Sequence, residues 1–359
     1  MLKTSERPSE VIEIAGRKVG HDEPCFIVAE AGVNHNGDIR QAFRLVDAAQ
    51  AAGADAIKFQ TFRSEKVISV HAPKAGYQRE TTGSSESQLN MAQRLELSFD
   101  AFREIAAHAR KKGILFMSTP FDEDSADFLD ELGMPVFKIP SGEITHLPFL
   151  EIVARKGRPV ILSTGMSTLD EVETAVRTIF QTGNRRLILL HCVSAYPAPH
   201  QEVNLRVMHS MRSVFAVPVG FSDHTQGIEV ALAAVALGAC VIEKHFTLDR
   251  TMPGPDHRAS LAPDELRALV TSIRNVESAL GDGNKRPRAS EMDVRAVARR
   301  SIVAARVLRA GTRLAERDLT LKRPGTGLAS KDMPSVIGRV TRRALAKDEL
   351  LDWSALSDE

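Results

Sequence analysis

The sequence predicts an α/β fold in which eight parallel strands close into a (β/α)8 TIM barrel, followed by a small β-rich domain. Short apolar runs rich in β-branched residues alternate with longer segments of helical period, as in repeated βαβ units. Eight such runs precede residue 250, which suits a barrel of typical length ~250 residues. A doubly wound open sheet would alternate in the same way, but no GxGxxG follows the first strand to support a dinucleotide site.

The predicted barrel elements follow one another regularly along the chain. The eight strands are CFIVAEA from residue 25, AIKFQTF from 56, ILFMSTP from 114, VFKIPSG from 136, PVILSTG from 159, LILLHCV from 187, FAVPVGF from 215 and CVIEKHF from 240. Helical segments such as IRQAFRLVDAAQAAG, FDAFREIAAHARKKG and TLDEVETAVRTIF fill the intervals. Several of them end in glycine, the residue that most easily takes the left-handed conformation after a helix.

Two breaks in the pattern divide the chain. Residues 63–98 are too long for an ordinary connection and are predicted to form an excursion over the active face of the barrel. A polar stretch, residues 282–298, is predicted to link a catalytic domain at 1–281 to a second domain at 299–359. The second domain shows short β runs and frequent turns, so we expect a compact module with little core of its own.

Charge and composition favour a small-molecule ligand. The chain has 47 basic and 46 acidic residues, so nothing in its charge predicts nucleic acid or an anionic membrane as a partner. Cys25, Cys192 and Cys240 lie in apolar runs without CxxC spacing, which indicates a reducing compartment. The run VALAAVALGACVI is shorter than the ~20 residues of a membrane span. We therefore expect a cytoplasmic protein.

Two lysines, Lys58 and Lys138, stand inside otherwise apolar strands, where an unpaired ammonium group is costly to bury. One interpretation is an internal ion pair with Glu30 or Glu143. The other is a phosphate ligand held by both lysines. Hydroxyl groups at the ends of the same strands, together with backbone N–H groups near Gly142 and Gly165, would complete that phosphate site; they belong to Thr119, Ser141, Ser163, Ser194 and Ser222.

Two histidines, His224 and His245, follow neighbouring predicted strands, and the ends of parallel strands meet at one rim of a barrel. They could be structural polar groups. With carboxylates available and no cysteine expected nearby, two imidazoles also suit a divalent ion such as Mn, Fe, Co or Zn, completed by water or substrate. His191 and His35 are weaker candidates, since His35 lies in NHNG, a turn sequence.

The motifs resemble those of the bacterial sialic acid synthases over nearly the whole chain. The segment LKRPGTG at 321–327 is similar to the antifreeze-like (SAF) domain of those enzymes. The barrel motifs that carry the resemblance are AEAGVNHNG, DAIKFQTF, FMSTPFD, FKIPSGEI, ILSTGMST, LHCVSAYPAP, GFSDHTQG, EKHFTLDR and MPGPDH.

The resemblance implies a role for each matching residue. It implies manganese at His224 and His245, with magnesium or cobalt as alternatives, and an N-acyl contact from Arg323 across a domain-swapped homodimer. Residues implied to address the sugar or the tetrahedral intermediate are Glu30, Glu143, Tyr196 and Asp256. Residues implied to hold phosphoenolpyruvate are Lys58, Thr119, Lys138, Ser141, Ser163 and Ser222. Ser194 replaces the asparagine often found in the family, and its hydroxyl can still donate to phosphate.

The implied reaction joins phosphoenolpyruvate to an N-acylated mannosamine-type sugar, giving a nine-carbon 2-keto acid and phosphate. N-acetylneuraminate synthesis is the leading expectation, with legionaminic or pseudaminic acid synthesis from a 2,4-diacetamido-2,4,6-trideoxy sugar as the alternative. Two readings from other classes stay open on the residues alone: a metal-dependent sugar-phosphate aldolase or isomerase, and a carbohydrate-binding protein without catalysis.

Overall fold

The computed structural model describes residues 10–358, and the chain divides into two compact units at the Gly281/Asp282 boundary. The first unit contains an antiparallel hairpin and eight parallel strands, and the second contains two antiparallel pairs. The strands are β1 Val11–Ile14, β2 Arg17–Gly20, β3 Phe26–Gly32, β4 Ala56–Thr61, β5 Leu115–Pro120, β6 Phe137–Ile139, β7 Val160–Ser163, β8 Leu187–Cys192, β9 Val219–Asp223, β10 Val241–His245, β11 Ser301–Ala304, β12 Leu319–Lys322, β13 Val340–Thr341 and β14 Leu356–Ser357.

Helices occupy the intervals between the strands. They are α1 Ile39–Ala52, α2 Ser64–Val67, α3 Gly76–Thr82, α4 Gln88–Leu95, α5 Phe99–Lys112, α6 Glu123–Glu131, α7 Leu147–Arg155, α8 Leu169–Gln181, α9 Val207–Phe215, α10 Glu229–Ala236, α11 Pro263–Leu280, α12 Met292–Ala298 and α13 Met333–Val336. The three short helices α2, α3 and α4 all lie in the excursion, and α12 lies in the segment that the sequence analysis treats as a linker.

The eight parallel strands form the predicted barrel. Hydrogen bonds join them in the order β5-β4-β3-β10-β9-β8-β7-β6, and β5 and β6 lie side by side at the remaining seam. The expectation of a (β/α)8 barrel is therefore confirmed. One predicted strand begins too early, because Phe215 ends helix α9 and Ala216 closes that helix in a left-handed conformation.

The helix ends follow the sequence signals. The Asp38 side chain accepts a hydrogen bond from the first turn of α1, and Gly53 ends that helix with φ 83°. Gly113 ends α5 in the same way. Thr168 and Glu171 form a capping box at the start of α8. These signals are local, which is why the sequence alone predicts the helices closely.

Two layers of inward-facing side chains fill the barrel. Because strand residues alternate between faces, the inward positions are every second residue. Those near the amino ends of the strands are buried and apolar, including Phe26, Val28, Ala56, Met117, Ile161, Ile188, Leu190 and Val241. Those nearer the carboxyl ends are polar and form the site described below.

A hairpin that the sequence analysis does not identify closes the apolar end. Ile12, Ile14 and Val19 of β1 and β2 are almost fully buried against the lower layer of the barrel. The turn is tight, with Ala15 at φ 50° and Gly16 at φ 81°. Full burial of such side chains contributes about 1.5–3 kcal/mol each, so the hairpin is an integral part of the barrel.

Asp55 fixes the hairpin and the last barrel helix to the first strands. Its carboxylate accepts a hydrogen bond from the Ile27 backbone N–H at 2.8 Å and from Arg274 of α11 at 2.8 Å, and it pairs with Arg17 of β2. Arg274 also donates to the Cys25 carbonyl at 2.9 Å. One carboxylate thus joins β2, β3 and α11 at the end of the barrel opposite the site.

We expect the substitution Asp55→Ala to destabilise the barrel by about 2–3 kcal/mol, because it leaves the Ile27 backbone N–H without its acceptor and removes one acceptor from each of two guanidinium groups. The measurement is the midpoint of urea unfolding. Asp100→Ala is the matched control, since Asp100 is 87% exposed in a surface pair with Arg103; its midpoint should stay within experimental error. Equal midpoints for the two variants would contradict this role of Asp55.

The second unit has a core of its own, contrary to expectation. Ile302, Leu308, Val336, Leu345 and Leu351 are each at most 1% exposed and pack in one cluster. Strands β11 and β12 pair antiparallel, as do β13 and β14.

Across residues 10–358 no helix is both long enough and apolar enough to cross a membrane.

Candidate active site

A cavity of ≈ 520 Å³ opens at the carboxyl ends of the barrel strands. Every site residue predicted in the first unit contributes to its lining. They are Glu30, Lys58, Thr119, Lys138, Ser141, Glu143, Ser163, Ser194, Tyr196, Ser222, His224, His245 and Asp256. The strand residues of this set meet because alternate residues of each strand point into the barrel. The others lie in loops at the carboxyl rim, where the parallel strands all end.

Four charged side chains lie at the base of the cavity. Lys58 Nζ is 2.6 Å from Glu30 Oε2 and donates to Thr119 Oγ1 at 3.0 Å. Glu243 lies between the two lysines, with its carboxylate oxygens 3.7 Å from Lys58 Nζ and 3.3 Å from Lys138 Nζ. All four of these groups are buried. The internal ion pair considered from the sequence therefore exists for Lys58 and Glu30.

The carboxylates of Glu30 and Glu243 differ in proton affinity. Burial raises the pKa of Glu30 to about 7, and the nearby Lys58 opposes that rise. Burial also disfavours ionisation of Glu243, but Lys138, Lys58 and a hydrogen bond from the Ser222 hydroxyl outweigh it and lower its pKa to about 2. Glu243 is thus the permanent counter-ion of the lysines, whereas Glu30 can hold or release a proton near neutral pH.

Hydroxyl groups converge beside Lys138. The Gly165 N–H donates to Ser141 Oγ at 2.9 Å. A Cβ atom at Gly165 would lie 2.3 Å from Ser194 Oγ and 2.8 Å from Ser141 Oγ, so only glycine leaves this space open. Ser163 Oγ is buried without a hydrogen-bond partner. An orphaned buried hydroxyl in a cavity that two lysines also line fits an anionic ligand that accepts hydrogen bonds.

His224 and His245 lie together at the wall of the cavity, with ring centroids 5.4 Å apart. His224 Nδ1 is 2.8 Å from the Val193 carbonyl and therefore donates, which leaves Nε2 as the nitrogen with a lone pair. His245 Nδ1 is buried without a partner. Burial, reinforced by the charge of His224, lowers the pKa of His245 well below its usual value, so this ring is neutral.

These two imidazoles fit a divalent metal ion by their donor chemistry. Within residues 10–358 no group of three or more His, Cys, Asp or Glu side chains could hold a metal ion. Any ion at this histidine pair would therefore take its other ligands from water or substrate, as in an open catalytic site.

Cys192 lies closer to the histidines than the sequence analysis expects. Its Sγ is 3.7 Å from His224 Nδ1, so the expectation that no cysteine lies near the pair is wrong. Burial opposes protonation of His224, but Cys192 and the Val193 carbonyl outweigh burial and raise its pKa. Metal binding at Nε2 would therefore release a proton.

Aromatic and acidic groups form the rest of the wall. The Tyr196 ring lies 4.2 Å from the His224 ring and 4.9 Å from the Tyr77 ring, centroid to centroid. Burial raises the pKa of Asp256 to about 6. Among residues 10–358 Glu143 pairs with no lysine; its Oε2 is 3.0 Å from His146 Nδ1.

Other residues of the cavity were not predicted to act there. Glu243 stands two positions before His245 in β10, so strand periodicity alone places it on the same face. Tyr77 and Gln78 come from the excursion, whose course no local signal specifies. Lys244 points outward from the barrel, where its Nζ is 2.7 Å from Asp223 Oδ2.

Arg323 belongs to the second unit, directly after β12, and its side chain is exposed. Its predicted contact with the acyl group of a sugar remains a prediction.

The model of the NeuB family matches residues 45–285, and the model of the SAF domain matches residues 299–357. The chain belongs to the NeuB family. It is 49% identical over 328 residues to the N,N'-diacetyllegionaminic acid synthase of Campylobacter jejuni, covering 91% of this chain and 98% of that protein. It is 48% identical to the enzyme of the same name from Legionella pneumophila, covering 93% of this chain and 95% of that protein.

A solved NeuB-type structure agrees with the fold. The N-acetylneuraminic acid synthetase of Leptospira borgpetersenii, solved with citrate, matches with a TM-score of 0.70 and 39% identity over 80% of this chain and 96% of that one. The predicted family, the SAF module and the enzyme class are therefore confirmed: this chain is a sialic acid-type synthase.

Proposed function

We propose that this NeuB-family enzyme condenses phosphoenolpyruvate with a manno-configured 2,4-diacetamido-2,4,6-trideoxyhexose, giving an N,N'-diacetyllegionaminic acid and phosphate. The manno configuration rests on the similarity to two N,N'-diacetyllegionaminic acid synthases. The structural observation that supports the acceptor is the division of the cavity into a charged base and a largely apolar outer wall, to which Gln78 and Gln88 also contribute. The side chains of that wall are Val67, Ile68, Ala75, Tyr77, Met91, Ala92, Leu95, Phe121 and Met166. Apolar walls suit an acceptor with a deoxy C6 methyl and two acetyl methyl groups.

The same division argues against a phosphorylated acceptor. Among the residues of the first unit that line the cavity, the lysines are Lys58 and Lys138, and both are paired at its base. A 6-phosphate at the outer wall would be desolvated there without a cation from this unit. N-acetylmannosamine, the acceptor of the leading expectation from sequence, would place its C6 hydroxyl against the same apolar wall.

We place phosphoenolpyruvate at the base of the cavity. Its phosphate would accept hydrogen bonds from Ser141, Ser163 and Ser194, with Lys138 beside them. Its carboxylate would face Lys58 and Thr119. Both lysines are already neutralised by the two glutamates, so Glu30, whose pKa is raised to about 7, is the group able to take up a proton as the ligand's charge enters.

His224 and His245 would hold a divalent ion such as manganese. When bound, the ion would act as a Lewis acid that polarises the C1 aldehyde of the open-chain sugar. The Val193 carbonyl fixes the ring orientation of His224, and the Tyr196 ring packs on that ring. These contacts fix the orientation of the His224 ring in the wall of the cavity.

The chemistry follows from this placement. C3 of phosphoenolpyruvate attacks the aldehyde carbon, a carbon–carbon bond forms, and the aldehyde oxygen takes up the proton that Glu30 acquired when the ligand bound, which leaves Glu30 as a carboxylate. Water adds at C2, which carries positive charge after C3 has attacked, and loses a proton to the Glu30 carboxylate, whose pKa of about 7 suits this role. The tetrahedral intermediate then expels phosphate by C–O cleavage and leaves the 2-keto acid. The lysines and hydroxyls stabilise the charge of the departing phosphate.

The acceptor test measures phosphate release by the purified full-length enzyme with phosphoenolpyruvate and manganese. The panel contains the trideoxy sugar, its altro-configured isomer, N-acetylmannosamine and N-acetylmannosamine 6-phosphate. We expect kcat/KM for the manno-configured trideoxy sugar to be at least about tenfold higher than for N-acetylmannosamine, a ratio that one or two buried methyl contacts can supply. The altro-configured isomer carries the same methyl groups, so its use relative to the manno isomer tests the configuration separately. Equal or better use of N-acetylmannosamine would overturn the acceptor assignment.

Phosphate release that depends on phosphoenolpyruvate excludes an aldolase or isomerase, and turnover excludes a pure binding protein. The contribution of the partner subunit's Arg323 in a domain-swapped dimer stays part of this proposal. Its check is the acceptor KM of Arg323→Ala together with the molecular mass in solution.

A further inference from the structure

The excursion, residues 63–98, is closed at its base by one carboxylate. Glu96 Oε2 accepts hydrogen bonds from the Ser64 N–H at 2.9 Å and from the Ser64 hydroxyl at 2.8 Å. Its other oxygen pairs with Arg63 at 3.1 Å. These contacts join the first and last residues of the excursion, so its ends are held independently of what lies between them.

A second set of contacts holds the middle of the excursion. Lys74 Nζ donates to Thr82 Oγ1 at 3.0 Å, to the Gly83 carbonyl at 3.0 Å and to Glu86 Oε1 at 3.1 Å. The Lys74 side chain is 2% exposed, although it lies in a surface segment. Its three acceptors span α3 and the turn that follows. The ammonium group therefore fixes α3 relative to the rest of the excursion, and it does not line the cavity.

Helix α3 carries Tyr77, the outermost of three rings that pack on one another. Tyr77 packs on Tyr196 at a centroid distance of 4.9 Å, and Tyr196 packs on His224 at 4.2 Å. Its neighbour Gln78 also lines the cavity. A column of three rings thus leads from the excursion to the histidine pair, and Tyr77 forms its outer end.

We propose that Lys74 is a positioning residue that selects the acceptor sugar. By holding α3, its buried ammonium group sets Tyr77 and Gln78 against the acceptor side of the cavity, so that the apolar wall is formed before the sugar binds. This inference rests on the proposed condensation with an N-acylated sugar. Because Lys74 touches no reacting group, its loss should weaken acceptor binding and leave the phosphoenolpyruvate site intact.

The chain offers a direct reporter, because Tyr77 and Tyr196 are its two tyrosines. Full-length enzyme labelled with 3-fluorotyrosine should give two ¹⁹F resonances, which the variant Tyr77→Phe assigns. In Lys74→Met we expect the Tyr77 resonance to move toward the position of free fluorotyrosine as the ring leaves the column. In Lys66→Met both resonances should stay in place, since Lys66 pairs with Asp124 at the surface and is 52% exposed.

Kinetics separate positioning from general damage. For Lys74→Met we expect the KM for the trideoxy acceptor to rise about tenfold, the worth of one aromatic contact, with kcat and the phosphoenolpyruvate KM unchanged. The preference for the trideoxy sugar over N-acetylmannosamine should shrink. Lys66→Met should keep wild-type values. If Lys74→Met does not fold, Glu86→Gln, which removes only the charge of the acceptor, should show the same shifts more weakly.

Each outcome decides between the two proposals. An unmoved Tyr77 resonance, or a rise in the phosphoenolpyruvate KM equal to that for the acceptor, overturns the role of Lys74. A wild-type enzyme that releases no phosphate with any acceptor contradicts the proposed function instead. In that case the tyrosine resonances still determine whether Lys74 positions Tyr77.

Discussion

Replacing Lys138 with methionine should weaken phosphoenolpyruvate binding by about 100-fold or more, the usual result of removing one partner of a buried charged contact. The residue is 2% exposed, and its Nζ lies 3.3 Å from Glu243. Without it, Glu243 would have Lys58 as its one remaining lysine partner, and the phosphate of the substrate would lose its nearest cation. The measurement is the dissociation constant of phosphoenolpyruvate by calorimetry, with the unfolding midpoint recorded in parallel.

Lys244 supplies the matched control for this experiment. Like Lys138, it is a buried lysine of a barrel strand with a carboxylate partner, since its Nζ lies 2.7 Å from Asp223. It faces away from the cavity. We expect Lys244→Met to destabilise the fold by about 3–5 kcal/mol, as other broken buried ion pairs do, without changing the affinity for phosphoenolpyruvate. Equal affinity losses in the two variants would mean that the lysines act through stability alone.

Removing either histidine of the pair should reduce kcat by about 10³-fold, which corresponds to ~4 kcal/mol of transition-state stabilisation. The variants are His224→Ala and His245→Ala, and treatment of the wild type with a chelator should reproduce their loss. Manganese binding, followed by electron paramagnetic resonance, should weaken in both variants, because two imidazoles are the protein ligands available at the site.

His191 is the control for the metal prediction. It lies on the neighbouring strand β8 and is also buried, but its Nε2 bonds to the Val203 carbonyl away from the cavity. His191→Gln should keep the manganese affinity of the wild type. The metal role would be falsified if His224→Ala retained full manganese-dependent turnover.

The sequence predicted the barrel because its signals are local and repeated. Helix α1 begins at Ile39 after the N-cap residue Asp38 and ends before Gly53. Asp before a helix and Gly after it are common end signals, so the sequence predicts both ends. The hairpin formed by β1 and β2 is not predictable from the sequence, because each strand has only four residues. Its apolar residues are buried only because they pack against the open end of the barrel, a contact that the sequence does not reveal.

The candidate site was predicted unevenly for the same reason. Lys58, Lys138, His224 and His245 are conspicuous because charged or metal-binding side chains stand inside or directly after apolar strands. Glu243 points to the same face as His245, two residues later in β10. Its role nevertheless depends on lying between two lysines of other strands, which the sequence does not show.

The sequence by itself therefore determined the barrel, the residue types at its carboxyl rim and the resemblance to sialic acid synthases. Only the tertiary structure decided that Glu243 bridges both lysines, that Cys192 borders His224, and that Lys74 holds α3 beside Tyr196. The physical reason is distance. Hydrophobic periodicity and helix capping depend on a few residues within one element. Ion pairs and ring contacts instead join atoms that are far apart in the sequence and that meet only when the barrel closes.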